Sequence, residues 1–537
     1  MFKCILTSLL ACLLIPSSFA DSGPLAEGRA IYQQGTTAKG GQLSVISQGA
    51  ELPANLFACV NCHRGSGLGT SEGGYLVPAI NGPTLFKPIE VKQRELYAER
   101  TEGFYTRPAY TRSTLKRAIT EGVSSTGAPL SRVMPRYQLT DSQSEQLIDY
   151  LNTLDYSNPP GLNEDQIQIA TIITDQTEPG KKQALVQTLT QYFKEKNAQT
   201  RHETRRVKYS PWHKDWHYDH YRNWNLNVWE LTGDESTWQQ QLQRLYEANP
   251  VFTVVGGTSH ASWAPMHQFC ENNKVPCLFP DTDLPQTELE NNYTLYLSSG
   301  MSLEVNRVLQ FLSENKKFTQ VIQLTDNSLR GKEAAQLLAQ KAPSELSVIT
   351  QSFAEFYTSS PSRNDENSAS KVIILWLEND ELSLWPADLI ELPADTVILS
   401  STLLEEEFNT IPKHLRSISW LIHPYSLPNT PGRLVRSQTW LYARGIETPY
   451  TRLQSNTYLA VSVLIEALMH IRSNFSRNYM IERIEHMLEN SPATSVYPRI
   501  SLAPGQRYAA KGSYLLPLSA LENSAQDNLK FWDVPEQ

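Results

Sequence analysis

Hydrophobic positions along the chain change period once, close to residue 160. Before that point Leu25 to Gln34 sets Ala26, Ala30 and Ile31 near one face, the spacing of a short amphipathic helix. Thr114 to Glu121 predicts a second helix, ended by Gly122. Thr140-Asp141-Ser142 caps a third, which runs through Leu147, Ile148, Tyr150, Leu151 and Leu154 at helical spacing. These elements predict a small all-α domain over residues 21–156. Ser157-Asn158-Pro159-Pro160-Gly161 has the composition of a linker, assigned here to residues 157–164.

Beyond the linker, strands and helices alternate. Ile167 to Ile173 is a β-branched run, followed by Gly180 and an amphipathic helix, Lys181 to Asn197. Trp238 to Tyr246 reads as a helix, and Val251 to Val255 as a buried strand ending in Gly256-Gly257-Thr258-Ser259. Further strands fall at Val321 to Leu324, Val372 to Leu377 and Thr396 to Ser400, with a long helix from Tyr458. This alternation predicts parallel sheets covered on both faces. The stretch 165–520 is too long for one such sheet, so two lobes are expected, with residues 521–537 as a tail.

The first 20 residues read as a secretory signal: Lys3, the apolar stretch Ile5 to Ile15, then Ser18-Phe19-Ala20 as the cleavage site. A lipoprotein site at Cys12 is the competing reading. No later stretch is long and apolar enough to span a membrane; Leu459 to Ile471 is short and interrupted by Glu466 and His470. The expected location is therefore periplasmic. With 47 basic and 56 acidic residues and no long basic run, nucleic acid is not an expected partner. Residues 21–160 hold 13 of each charge, so the acidity lies in the second module and electrostatic steering by the first is modest.

Export changes how the cysteines read, because an unpaired thiol is a liability in an oxidising compartment. Cys59-Val60-Asn61-Cys62-His63 is a C-x-x-C-H sequence, the c-type haem attachment pattern. Two thioethers anchor the porphyrin edge, and the next residue's imidazole lies beneath the iron. A thioredoxin-like pair should open a helix after a buried strand, and a zinc site needs two more ligands. Residues 21–160 contain no other Cys or His. They contain a single Met, Met134, in Val133-Met134-Pro135, which makes it the candidate sixth ligand. His/Met ligation fills both axial positions and suits electron transfer.

These residues resemble the class I monohaem cytochromes c. The resemblance spans roughly residues 24–156 and rests on Gly28-Arg29-Ala30-Ile31-Tyr32, Cys59 to His63, Val77-Pro78, the helix Leu115 to Ile119 with Gly122, and Met134-Pro135 with Tyr137. It implies one covalent haem c on Cys59 and Cys62, with His63 and Met134 as iron ligands. It also implies that the Pro78 carbonyl faces the other nitrogen of His63. Redox partner proteins in the periplasm would follow. Thr36 to Asn55 is an extra surface excursion relative to the smallest members.

The second module resembles the type I periplasmic ligand-binding proteins, the branched-chain amino-acid-receptor branch. Ile169-Ala170-Thr171-Ile172-Ile173 with Gly180, Val254 to Ser259, Lys274-Val275-Pro276 with Phe279-Pro280-Asp281, and Pro498 to Leu502 carry the likeness. It implies a small polar solute held between two hinged lobes, with Thr258, Ser259, Asp281 and Thr282 as candidate contacts; Asp281 stands where a small residue is expected. Those four also suit simple helix capping. Cys270 and Cys277 are expected to form a local disulfide. His213, His217 and His220 would share one helical face and offer metal ligands, or pack as part of an aromatic-rich segment.

The leading expectation is a periplasmic electron carrier whose second module senses or docks a solute or partner, rather than an enzyme. A solute receptor with an accessory haem, and a haem enzyme with an open iron position, are the alternatives. No Ser/His/Asp set, phosphate loop or paired-carboxylate spacing stands out elsewhere.

Overall fold

The computed structural model describes residues 23, 25–72, 75–89, 107–154, 159–209, 222–287, 292–359, 370–385, 394, 396–405, 407–427, 434–471, 474–490, 495–503, 505–519 and 532–533. The chain divides into two compact units, Met1–Tyr156 and Ser157–Gln537. The proposed signal and its cleavage site, the histidine segment 213–220 and nearly all of the C-terminal tail lie outside the described residues. Among the described residues no helix is long and apolar enough to cross a membrane.

The first unit runs α1 (Ala26–Gln34), β1 (Ser44–Ser47), β2 (Ala50–Pro53), α2 (Cys59–His63), β3 (Thr70–Glu72), β4 (Tyr75–Val77), α3 (Gly82–Leu85), α4 (Arg112–Thr120), β5 (Arg136–Gln138) and α5 (Asp141–Thr153). Helices α4 and α5 each open with a capping box, in which Thr111 and Thr140 accept the amides of Thr114 and Gln143. Each cap contributes about 1 kcal/mol. Ile31, Tyr32, Leu115, Ile119, Leu147 and Ile148 meet in one core beneath them.

The unit is not all-α, which corrects the expectation from sequence. Strands β2, β1 and β5 form an antiparallel sheet in that order, and β3 pairs with β4. The excursion Thr36 to Asn55 supplies the β1–β2 hairpin, with Ser47 opposite Ala50. Its two-residue turn, Gln48-Gly49, has φ of 51° and 88°. Two left-handed residues in succession match the twist of a tight hairpin. The strands are too short for periodicity to reveal them.

The second unit continues with β6 (Gln166–Thr174), α6 (Pro179–Tyr209), β7 (Asn223–Leu231), α7 (Trp238–Ala248), β8 (Thr253–Val255), α8 (Ala264–Asn272), β9 (Cys277–Leu278) and β10 (Thr294–Ser298). Then follow α9 (Met301–Glu314), β11 (Phe318–Thr325), α10 (Leu329–Lys341), β12 (Ser347–Ser352), α11 (Phe353–Ser359), β13 (Ser370–Trp376), α12 (Asn379–Ser383), β14 (Thr396–Ser400) and β15 (Ser419–His423). The chain ends with α13 (Val435–Tyr442), α14 (Thr451–Ile471), α15 (Arg477–Asn490), β16 (Tyr508–Ala510), β17 (Ser513–Pro517) and β18 (Trp532–Asp533).

These strands build two sheets, ordered β16-β10-β9-β8-β6-β7 and β12-β11-β13-β14-β15-β17-β18. The first five strands of each lobe therefore share the order second-first-third-fourth-fifth, all parallel. In these two sheets, among the described residues, only the β15–β17 and β17–β18 pairs are antiparallel. Strand β6 sends Ile167, Ile169 and Ile173 into one core and Ala170 and Ile172 into another. Covered faces on both sides explain why every residue from Ile169 to Thr174 is buried.

The chain passes between the lobes at Ser299-Gly300, between β15 and α14, and at Lys511-Gly512. The first crossing needs its glycine: Gly300 has a φ of 57°, and a Cβ there would sit 2.2 Å from the Asp283 carbonyl oxygen. Helix α14 begins two turns earlier than the apolar pattern predicts. Its residues Gln454, Ser455, Asn456 and Thr457 are polar yet buried: Gln454 donates to the Glu447 carbonyl, Ser455 meets Ser437 of the neighbouring helix, Thr457 donates to the Leu453 carbonyl, and Asn456 lines a recess with Asp281.

Candidate functional site

In the first unit, α2 is a single turn that carries Cys59, Cys62 and His63. Neither cysteine is in a disulfide; Cys59 is half-buried and Cys62 exposed. The Cys59 sulfur lies 3.6 Å from the Tyr137 hydroxyl, which itself donates to the Phe57 carbonyl at 2.6 Å. Burial pushes the Cys59 thiol up to about 11.

His63 is buried, and its Nδ1 lies 2.9 Å from the carbonyl oxygen of Pro78. A carbonyl can only accept, so Nδ1 carries the hydrogen and the lone pair is left on Nε2. Burial lowers the imidazole to about 4, keeping it neutral. Gly69 permits this return of the chain. Its φ is 76°, and a Cβ there would lie 2.1 Å from the Val77 carbonyl oxygen and 2.9 Å from that of Pro78. The neighbouring carbonyl of His63 accepts the Gly69 amide at 3.1 Å.

Met134 is half-buried and ends a turn in which its amide donates to the Ser131 carbonyl at 3.3 Å. Arg136 holds this turn: its guanidinium donates to the Met134 carbonyl, to Leu130 at 3.1 Å and to Ser131 at 3.2 Å. Arg136 and Tyr137 lie on β5, paired with Ile46 and Val45 of β1. The excursion thus forms the strand that fixes the segment following Met134. Through Tyr137 that segment touches Cys59, from 78 residues away in sequence.

In the second unit the loops at the carboxyl ends of both sheets converge, the place where open parallel sheets of this order form their crevice. Asp283, after β9, accepts from Arg330 at the start of α10 at 2.8 Å, linking the two lobes. Arg330 also reaches Glu378, after β13, at 2.9 Å. Lys181 of α6 pairs with Glu405, after β14, at 2.8 Å. Arg452 of α14 donates to the Tyr425 hydroxyl at 2.6 Å and lies 3.5 Å from Asp283 and 3.9 Å from Asp281. Tyr425 meets Thr402 at 2.8 Å, and Thr402 donates to Glu304 of α9 at 2.5 Å.

The electrostatics follow from burial. Arg452 and Arg330 hold the Asp283 carboxyl below its usual range despite its desolvation. Glu304 is enclosed without a cation and is pushed up to about 7 by burial. One of its oxygens, Oε2, finds no hydrogen-bond partner. A recess beside this network is bounded by Asp281, Thr282, Asp283, Tyr296, Ser298, Asn456 and Tyr497, and has no room for a water-sized sphere.

Of the candidate contacts read from sequence, Asp281 and Thr282 line this recess, whereas Thr258 and Ser259 are not among its lining residues. The Thr258 carbonyl accepts from Thr174 and Thr177, and the Ser259 hydroxyl accepts the Ala261 amide at 3.1 Å, so both tie down a turn. Cys270 and Cys277 are joined in a disulfide between α8 and β9. Arg330, Arg452, Glu304 and Tyr425 escaped the sequence reading. Their signal was the polar run Arg452 to Thr457 ahead of an apolar helix, and single charges at the ends of apolar strands.

No family model matches the chain, and no curated protein matches it. Solved structures similar to it are solute-binding proteins of transporters. A leucine-binding protein from Thermotoga maritima is 14% identical with a TM-score of 0.44, over 65% of this chain and 94% of that one. A possible leucine/isoleucine/valine-binding protein from Rhodopirellula baltica is 12% identical with a TM-score of 0.47, over 67% and 95%. A branched-chain amino acid transporter protein from Thermus thermophilus with bound valine is 13% identical with a TM-score of 0.44, over 66% and 94%. The two-lobe α/β fold of the second unit stands on its own strand order.

Proposed function

We propose that this protein is exported to the periplasm and transfers single electrons through one haem c in its first unit, joined to a second unit that binds a small solute between two lobes. The observation that carries the haem reading is the His63 Nδ1 contact with the Pro78 carbonyl, on the same helical turn as Cys59 and Cys62. The donor set fits the group. Cys59 and Cys62 would bear the thioethers, and His63 through Nε2 and Met134 through its sulfur would hold the iron. Bound in this way, the haem supplies a one-electron couple whose potential is raised by the thioether ligand.

The residues around the site do the rest. The Pro78 carbonyl fixes the imidazole's tautomer and orientation. Tyr137 and Arg136 hold the Met134 turn against α2. Redox proteins of the same compartment are the expected partners.

A second reading, a solute receptor with the haem as accessory, is favoured by the size of the two-lobe unit and by its converging strand ends. Expression of the full chain in a host with the haem-attachment machinery tests the first reading. Haem that stays with the protein after denaturation, and a sulfur–iron band that disappears in Met134→Ala, is the expected result. Protein recovered without covalent haem would refute it. Rapid carbon monoxide binding to the ferrous protein would instead indicate an open iron position.

A further inference from the structure

The cleft of the second unit is occupied by one of the chain's own cations. The Arg452 guanidinium lies over the Tyr425 ring, 5.6 Å from its centroid, and Tyr425 packs against Tyr497 at 5.5 Å. On its other sides it faces two carboxylates, Asp281 and Asp283. Aromatic faces combined with carboxylates are the surroundings that stabilise a desolvated organic cation. Asn456, only 2% exposed, lines the adjoining recess, donates its amide hydrogen to Asp281 and leaves its Oδ1 without a partner. The group still seeking a partner there is an acceptor, so it calls for a donor.

We propose that the cleft takes an organic ammonium or guanidinium solute, and that Arg452 fills its place while the lobes are closed on each other. This rests on the receptor part of the proposed function and names the solute class. A cation entering between parted lobes would take over the Tyr425 face and the Asp281 carboxylate from Arg452, and donate to the Asn456 Oδ1. Arg330 on Asp283 and Lys181 on Glu405 would remain as the lobe-to-lobe ties that close over it. A carboxylate solute would meet Asp281 and Asp283 at the recess wall and be repelled.

The test is calorimetric titration of the full-length, haem-loaded protein with agmatine and putrescine, against leucine, succinate and calcium chloride. Binding of agmatine or putrescine is expected, weakened at least tenfold by Asp281→Asn and tightened about tenfold by Arg452→Gln, which removes the internal competitor. Unchanged or weaker binding in a folded Arg452→Gln protein would overturn the proposal, because Arg452 would then be a ligand anchor. Should that variant not fold, Asp281→Asn decides alone, since it leaves the Arg330–Asp283 tie in place. Binding of leucine or succinate with the amines inert would overturn the cation assignment and leave the receptor reading standing. Calcium alone binding would do the same. Silence from all five probes would overturn the assignment and count against the receptor reading itself.

Discussion

The two sites are built in opposite ways. In the first unit the proposed attachment residues Cys59, Cys62 and His63 sit on one helical turn, and the carbonyl facing His63 comes from only 15 residues downstream. In the second, Lys181 and Glu405 meet across 224 residues, and Arg330 and Asp283 across 47. Covalent attachment requires fixed spacing along the chain, so it leaves a motif. A noncovalent network requires only that charges converge in space, and any two loops at the strand ends supply that. The attachment turn of the first kind of site is local, whereas the second depends on both lobes at once.

That contrast can be broken experimentally, beginning with the largest effect. Replacing both Cys59 and Cys62 by Ser should abolish covalent haem altogether, read by haem staining of the denatured chain. Thermal unfolding of the second unit should hardly move, and retained covalent haem would show that the motif is not the attachment point. Arg330→Gln leaves Asp283 buried with weakened compensation and should cost about 3 to 5 kcal/mol in the second unit, measured by denaturant unfolding. Covalent haem loading should be unaffected, because it depends on local residues only.

Glu304 gives the network a pH signature. Its carboxyl ionises near 4.5 when exposed and at about 7 in the folded protein, so between those values the fold retains a proton that the unfolded chain has released. Stability should therefore fall as pH rises across that window, by at most about 3 kcal/mol, and level off above it. Glu304→Gln should flatten that slope; an unaltered pH profile would remove Glu304 as its source. The smallest effect is expected at the disulfide. Cys270→Ala with Cys277→Ala opens a short loop and should lower stability by about 2 kcal/mol, seen as an earlier unfolding midpoint in the second unit.

The motif, the linker and the alternation of strands with helices could be read directly because each is a local pattern. The β1–β2 hairpin could not: four-residue strands carry too little periodicity, and their pairing with β5 is a long-range contact. Helix α14 starts before the apolar pattern because Gln454, Ser455 and Asn456 find polar partners in Glu447, Ser437 and Asp281, contacts that no local pattern shows. Thr258 and Ser259 have the residue types of ligand contacts, and their hydrogen bonds fasten a turn, which only the tertiary structure reveals.

By itself, then, the sequence determined the two-module organisation, the Cys270–Cys277 pairing and the alternation of the second unit, since cysteine spacing and hydrophobic period are properties of neighbouring residues. Only the tertiary structure decided which strand steadies the Met134 turn, and that Arg452 lies between Tyr425 and two aspartates. The physical reason is that a buried charge is stabilised by whatever surrounds it in space, and those surroundings exist only after the lobes have met.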